Sequence, residues 1–101
     1  MKTSFDLSEL GINNIAHLQL TALEQLVKFK DMGIAVYGGD VFILDGNDIY
    51  LSYDNWYCAR KKTENLYDYI SRSIKEAEQF IKNYHTNQGI PLFAFVFSTT
   101  S

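Results

Sequence analysis

"AVYGGDVFIL", residues 35–44, decides the fold of this chain. Ile34–Tyr37 and Val41–Leu44 are β-rich, yet Gly38, Gly39 and Asp40 interrupt them. Glycine weakens a strand and aspartate is poor in one. The interruption is therefore a structural device or a surface kept for a partner. Two structural uses stand open. The glycines can form a β-bulge that bends the strand and turns Asp40 to the surface. They can also leave a gap over which a large aromatic lies, with Trp56 or Tyr57 as candidates. On either use, Gly38 and Gly39 are structural residues.

Working forward, "DGND" (45–48) is a turn signal, because Asp-Gly and Asn adopt left-handed backbone cheaply. Ile49, Leu51 and Tyr53 then alternate with Tyr50, Ser52 and Asp54, the mark of a half-exposed strand. The reading is a hairpin, 41–44 against 49–53, able to extend back to Ile34. On this alternation Tyr53 shares the inward side with Ile49 and Leu51, and Tyr50 faces outward. "NWYCARKKT" (55–63) reads as a loop or distorted strand end.

A helix precedes the hairpin and another follows it. Over 19–32, Leu20, Leu23, Leu26 and Val27 repeat at helical steps, flanked by Leu18 and Phe29, and Gly33 is a natural stop. Over 64–84, Leu66, Ile70, Ile74, Ala77, Ile81 and Tyr84 form one apolar face. Thr63 or Asn65 can cap this helix, with Asp68 at N3 if Asn65 is the cap. "LFAFVFS" (92–98) is apolar on both faces and reads as a central strand. Residues 1–18 show no clear period; "FDLSEL" suggests a short helical turn ended by Gly11.

The expected architecture is one α+β domain over 1–101. An irregular or short-helix lead-in (1–18) precedes a core (19–98) in the order α-β-β-α-β. Its three-stranded, mainly antiparallel sheet has the hairpin's first strand in the middle and both helices on one face. The last strand sets Phe93, Phe95 and Phe97 on one side and Leu92, Ala94 and Val96 on the other. With helices on one side only, the second apolar face needs cover from the N-terminal segment, a second copy or another protein.

The chain has 101 residues, 47% hydrophobic and 21% charged, which suits one ordered domain rather than disorder. The lone Cys58 makes no intrachain disulfide and suits a reducing compartment. No secretory signal is visible, and Leu92–Phe97 is too short to cross a bilayer. The expected location is the cytoplasm, with no membrane partner. A net charge of −3 disfavours nucleic-acid binding. Between Asp31 and Ala59 stand five Asp residues and no other charge. Turn chemistry accounts for some of them; an acidic face for a basic partner is the sharper reading.

Chemistry is sparse. His17, His85 and Cys58 lack metal-ligand spacing, so no metal or cofactor is expected. Nothing in the sequence pairs Cys58 with a base, and beside Trp56 and Tyr57 it reads as a packed structural residue. Asp45 with Asp48, and Glu76 with Glu78, are not specific for acid–base work. Asp45, Asn47 and Asp48 lack the rest of a calcium loop. Asp40 after the glycines would repel a phosphate.

"GIAVYGGDVF" (33–42), "YDNWYC" (53–58), "YISRS" (69–73) and "PLFAFVFS" (91–98) together resemble the immunity protein 40 family of bacterial polymorphic-toxin systems. The resemblance spans about residues 20–98. It implies a non-catalytic cytoplasmic antitoxin that binds and neutralises one cognate toxin domain. The family does not assign contact residues. From charge and residue type we expect Asp40, Asp45, Asp48 and Asp54 to make electrostatic contacts, with Tyr50, Tyr53 and Trp56 as anchors, Tyr50 being the better surface candidate because Tyr53 shares the inward side. Such a surface suits a basic toxin, for instance a nuclease. Trp56 is equally suited to locking the core. The alternative function is a small homodimeric structural or interaction module with no toxin partner.

Overall fold

The computed structural model describes residues 1–97; Ser98, the end of the expected last strand, lies outside them. In chain order the elements are β1 (Ser4–Asp6), a 3-10 turn (Ser8–Leu10), β2 (Ile15–Leu18), α1 (Gln19–Met32), β3 (Gly38–Asp45), β4 (Asp48–Tyr57), α2 (Leu66–Asn83) and β5 (Ile90–Val96). The strands form one antiparallel sheet in the order β1-β2-β5-β3-β4. The α+β class holds, and β3 lies between β4 and β5 as expected. The sheet has five strands, not three, because the segment read as an irregular lead-in contributes β1 and β2. These strands have three and four residues, too few to show a period of two. Long-range pairing creates them: His17 pairs with Phe93 and Phe5 with Ala16. The short turn ended by Gly11 is present between them, with Gly11 at φ 76°.

Both helices pack on one face. Ala22 and Leu26 of α1, with Ile74, Ala77 and Ile81 of α2, join Val41, Ile43, Phe93 and Phe95 of the sheet in the main core. Gln19 Nε2 donates to the Ile81 carbonyl at 2.7 Å and ties the start of α1 to the end of α2. The apolar face of α1 differs from the expected one. Leu20 and Val27 are 71% and 61% exposed, and Ala22 is buried in their place. Apolar residues surround this helix, so periodicity alone chose among several faces; close approach to the sheet and α2 favours the small Ala22. In α2 the expected face holds except for exposed Leu66. Asn65 is the cap, accepting from the Asp68 backbone N–H at 2.8 Å.

On the opposite face, Leu7 and Ala16 bury Phe42, Leu92 and Ala94, flanked by Phe5, Ile12 and Ile49. The N-terminal segment thus supplies the cover that the sheet requires there. The Asn14 side-chain amide fixes it to the Phe95 carbonyl at 2.9 Å.

The bulge is present but not at the glycines. Gly38, Gly39 and Asp40 pair regularly with Tyr57, Trp56 and Asn55. The register breaks between Asp40 and Phe42, where Ser52, Tyr53 and Asp54 of β4 face Val41 alone. Ser52 Oγ donates to the Val41 carbonyl at 2.6 Å and accepts from the Asp54 N–H at 3.1 Å, replacing lost ladder bonds. The glycines serve the other expected use. A Cβ on Gly39 would collide with Cη2 and Cζ3 of the Trp56 ring and lie 2.6 Å from the Ala94 carbonyl oxygen.

Candidate functional site

β4 is an edge strand, paired only with β3. An unpaired edge is open to other chains unless it is twisted, charged or covered. The double-residue bulge interrupts this one and throws its side chains outward. Tyr53 sits at φ 69°, a conformation that costs a non-glycine residue roughly 1–2 kcal/mol, and is 83% exposed. The expectation that Tyr53 points inward is therefore corrected: strict alternation does not survive a bulge. Tyr50 is exposed, as expected.

Asp48, Tyr50, Asp54 and Trp56 all lie on β4. Asp45 pairs with Asp48 at the hairpin end. Asp40 pairs with Asn55 but lies on the other sheet face, beside Ala94. It is ~17 Å down the strand from Asp45 at ordinary strand rise. The six predicted contact residues therefore do not form one patch. Asp54 is not free either: its carboxylate accepts from the Tyr84 hydroxyl at 2.6 Å. This anchors the bulge to the end of α2. Burial, then the Asp54 contact, pushes the Tyr84 hydroxyl above its usual range.

The tertiary fold gathers acids that the sequence separates. Asp6 and Glu9, from the N-terminal segment, line a hollow with Asn47 and Asp48 at the hairpin tip. No pattern in the sequence brings residues 6 and 9 to residue 48; only the folding of the N-terminal segment over the sheet does.

Trp56 packs into the core on one side. Its ring stacks on Phe80 at 4.8 Å between centroids and meets Phe95 edge-on at 6.2 Å. Its indole N–H is buried with no acceptor among the described residues. Yet Trp56 also lines an open groove of about 730 Å³ between β4 and α2. Beyond it Tyr57, 73% exposed, stacks on Tyr37 at 6.3 Å. Tyr37 and Tyr57 are exposed aromatics absent from the expected contact set; the tyrosine-rich composition was the available signal.

Cys58 is buried. Its backbone N–H donates to the Tyr37 carbonyl at 2.6 Å, and its carbonyl accepts from the Tyr69 hydroxyl at 2.9 Å. Burial foremost, with Glu76 nearby, pushes the thiol up to about 11, far from the thiolate a nucleophile needs. Arg72 closes the region. It holds Glu64 through two bonds of 2.7 and 2.8 Å, the Ala59 carbonyl at 2.8 Å and Cys58 Sγ at 2.9 Å. The Arg72 hydrogen bonds hold the Glu64 carboxyl down to about 2. This planar fork clamps the 58–64 connection onto α2.

Among the described residues, no group of three or more His, Cys, Asp or Glu is placed to hold a metal, and no helix is long and apolar enough to cross a membrane. The geometry defines a small α+β domain with exposed tyrosines along one sheet edge and acids at the hairpin tip. The chain belongs to the immunity protein 40 family, whose family model matches residues 6–97. The match includes the N-terminal segment, which the sequence motifs had left out. No curated protein and no solved structure matches the chain.

Proposed function

We propose that this protein is a cytoplasmic antitoxin that binds one cognate bacterial toxin domain and neutralises it without catalysis, by covering its active site. The family match over residues 6–97 carries this reading. The β4 edge supports it. A strained, exposed Tyr53 is costly in the free protein, and such outliers concentrate where a surface does work. The tip, where Asp48 meets Asp6 and Glu9 with Asp45 paired beside it, carries four acids against one nearby lysine, Lys2, and favours capture of a basic partner, such as a nuclease, because opposite fields accelerate encounter.

The test is coexpression with the toxin domain encoded beside this gene. Growth should be restored, and the two chains should co-purify one to one. Failure of the intact protein to restore growth overturns the reading. Reversing charge at Asp45 and Asp48 should slow association severalfold and leave folding unchanged. An unchanged association rate removes the acidic tip from the mechanism and leaves the antitoxin reading standing.

A further inference from the structure

We propose that the groove between β4 and α2 receives an arginine side chain of the toxin; this rests on the antitoxin reading and names the chemistry of its contact. The floor and one wall are aromatic, formed by Trp56 and Phe80, with Tyr84 against Phe80. The other wall is one ridge of α2, where Glu76, Gln79 and Asn83 follow at steps of three and four. These side chains offer a carboxylate and two amide groups.

The charge of the groove selects a cation. Glu76 and His85 line it, and no Lys or Arg does; Glu76 is the one carboxylate in its lining. Glu76 is only loosely engaged: Arg72 reaches it at 3.3 Å while holding Glu64 at 2.7 Å. The Glu76 side chain is 49% exposed, so it keeps acceptor capacity for an incoming donor. A second carboxylate, Asp54, stands at the Tyr84 end of the groove, bound through one hydroxyl. Aromatic surface beside a half-free carboxylate is the environment that favours guanidinium. The planar ion stacks on rings, donates in a fork to carboxylate and amide oxygens, and sheds water more readily than ammonium. An arginine held this way is a common anchor of protein interfaces.

Trp56 is the only tryptophan of the chain and therefore reports on the groove. The probes are N-acetyl-argininamide, N-acetyl-lysinamide and the uncharged N-acetyl-citrullinamide. The readouts are Trp56 fluorescence and the NMR signal of its indole N–H. Argininamide should give a saturable change with a dissociation constant on the order of millimolar, as expected for so small a ligand. Lysinamide should bind severalfold more weakly and citrullinamide should give no saturable change. Glu76→Gln should weaken argininamide about tenfold, the loss expected when a charged hydrogen bond becomes neutral. Its melting temperature should stay near that of the parent, because Arg72 keeps Glu64. No saturable response to argininamide, an equal response to citrullinamide, or equal affinity in Glu76→Gln overturns the proposal.

Coexpression separates this from the antitoxin reading. If the intact protein restores growth and Glu76→Gln binds the toxin with undiminished affinity, the groove is not the contact and the antitoxin reading stands. If argininamide binds but the intact protein restores no growth, the toxin is not the source of the arginine.

Discussion

The two faces of the sheet bury similar side chains by different means. On one, Val41, Ile43, Phe93 and Phe95 lie under two long helices. On the other, Phe42, Leu92 and Ala94 lie under a three-residue turn and a few side chains of the N-terminal segment. The helical cover is regular and lies chiefly over β2, β5 and β3. The N-terminal cover is short, and at the Gly38–Asp40 end it leaves Val96 and Tyr57 exposed. The comparison teaches that a sheet face is satisfied by any apolar cover, periodic or not. What escapes cover becomes surface available to a partner.

The sharpest way to break the comparison is to cut into each face. Phe93→Ala, on the helical side, should cost about 4 kcal/mol. Leu7→Ala, on the N-terminal side, should cost about 3 kcal/mol, since Leu7 is as fully buried as any core leucine. Urea unfolding measures both. A loss below about 1 kcal/mol for Leu7→Ala would make the N-terminal segment an appendage and the second face unsupported.

A smaller effect sharpens the role of the glycines. Gly39→Ala should cost about 2 kcal/mol through overpacking against Trp56 and the Ala94 carbonyl. Part of that cost should vanish in the double variant with Trp56→Leu, whose ring no longer occupies the space. Full additivity in thermal unfolding would show that Trp56 does not depend on the missing Cβ.

The smallest expected effect is at the bulge, and its sign is reversed. Tyr53→Asn should stabilise the free protein by up to about 1 kcal/mol, because Asn tolerates left-handed backbone. The same variant should weaken toxin binding if the β4 edge is the contact. A gain in stability with unchanged affinity would leave the strain unexplained by binding.

Much of this was legible in the sequence where structure is local. The turn at 45–48, the hairpin around it, the Asn65 cap and the two-sided character of 92–97 are written in residue type and period. The helical face of α2 was nearly so; Tyr69 and Ser73 were missed because their burial depends on polar partners. Ser73 accepts from the Val36 N–H at 2.9 Å, a pairing 37 residues apart in sequence. The candidate site was legible in composition but not in arrangement. Acids and aromatics around β4 were visible, whereas the separation of Asp40, the engagement of Asp54 and the arrival of Asp6 and Glu9 were not.

The sequence by itself determined the class, the helices, the central three strands and the family, because each rests on short-range pattern or on motifs. Tertiary structure alone decided the other two strands, the position of the bulge and the face that α1 buries. Three-residue strands have no period to read, and a bulge is fixed by which partner residues are opposite it. Both arise from contacts between segments far apart in the chain, as do the groove between β4 and α2 and the cluster of acids at the hairpin tip.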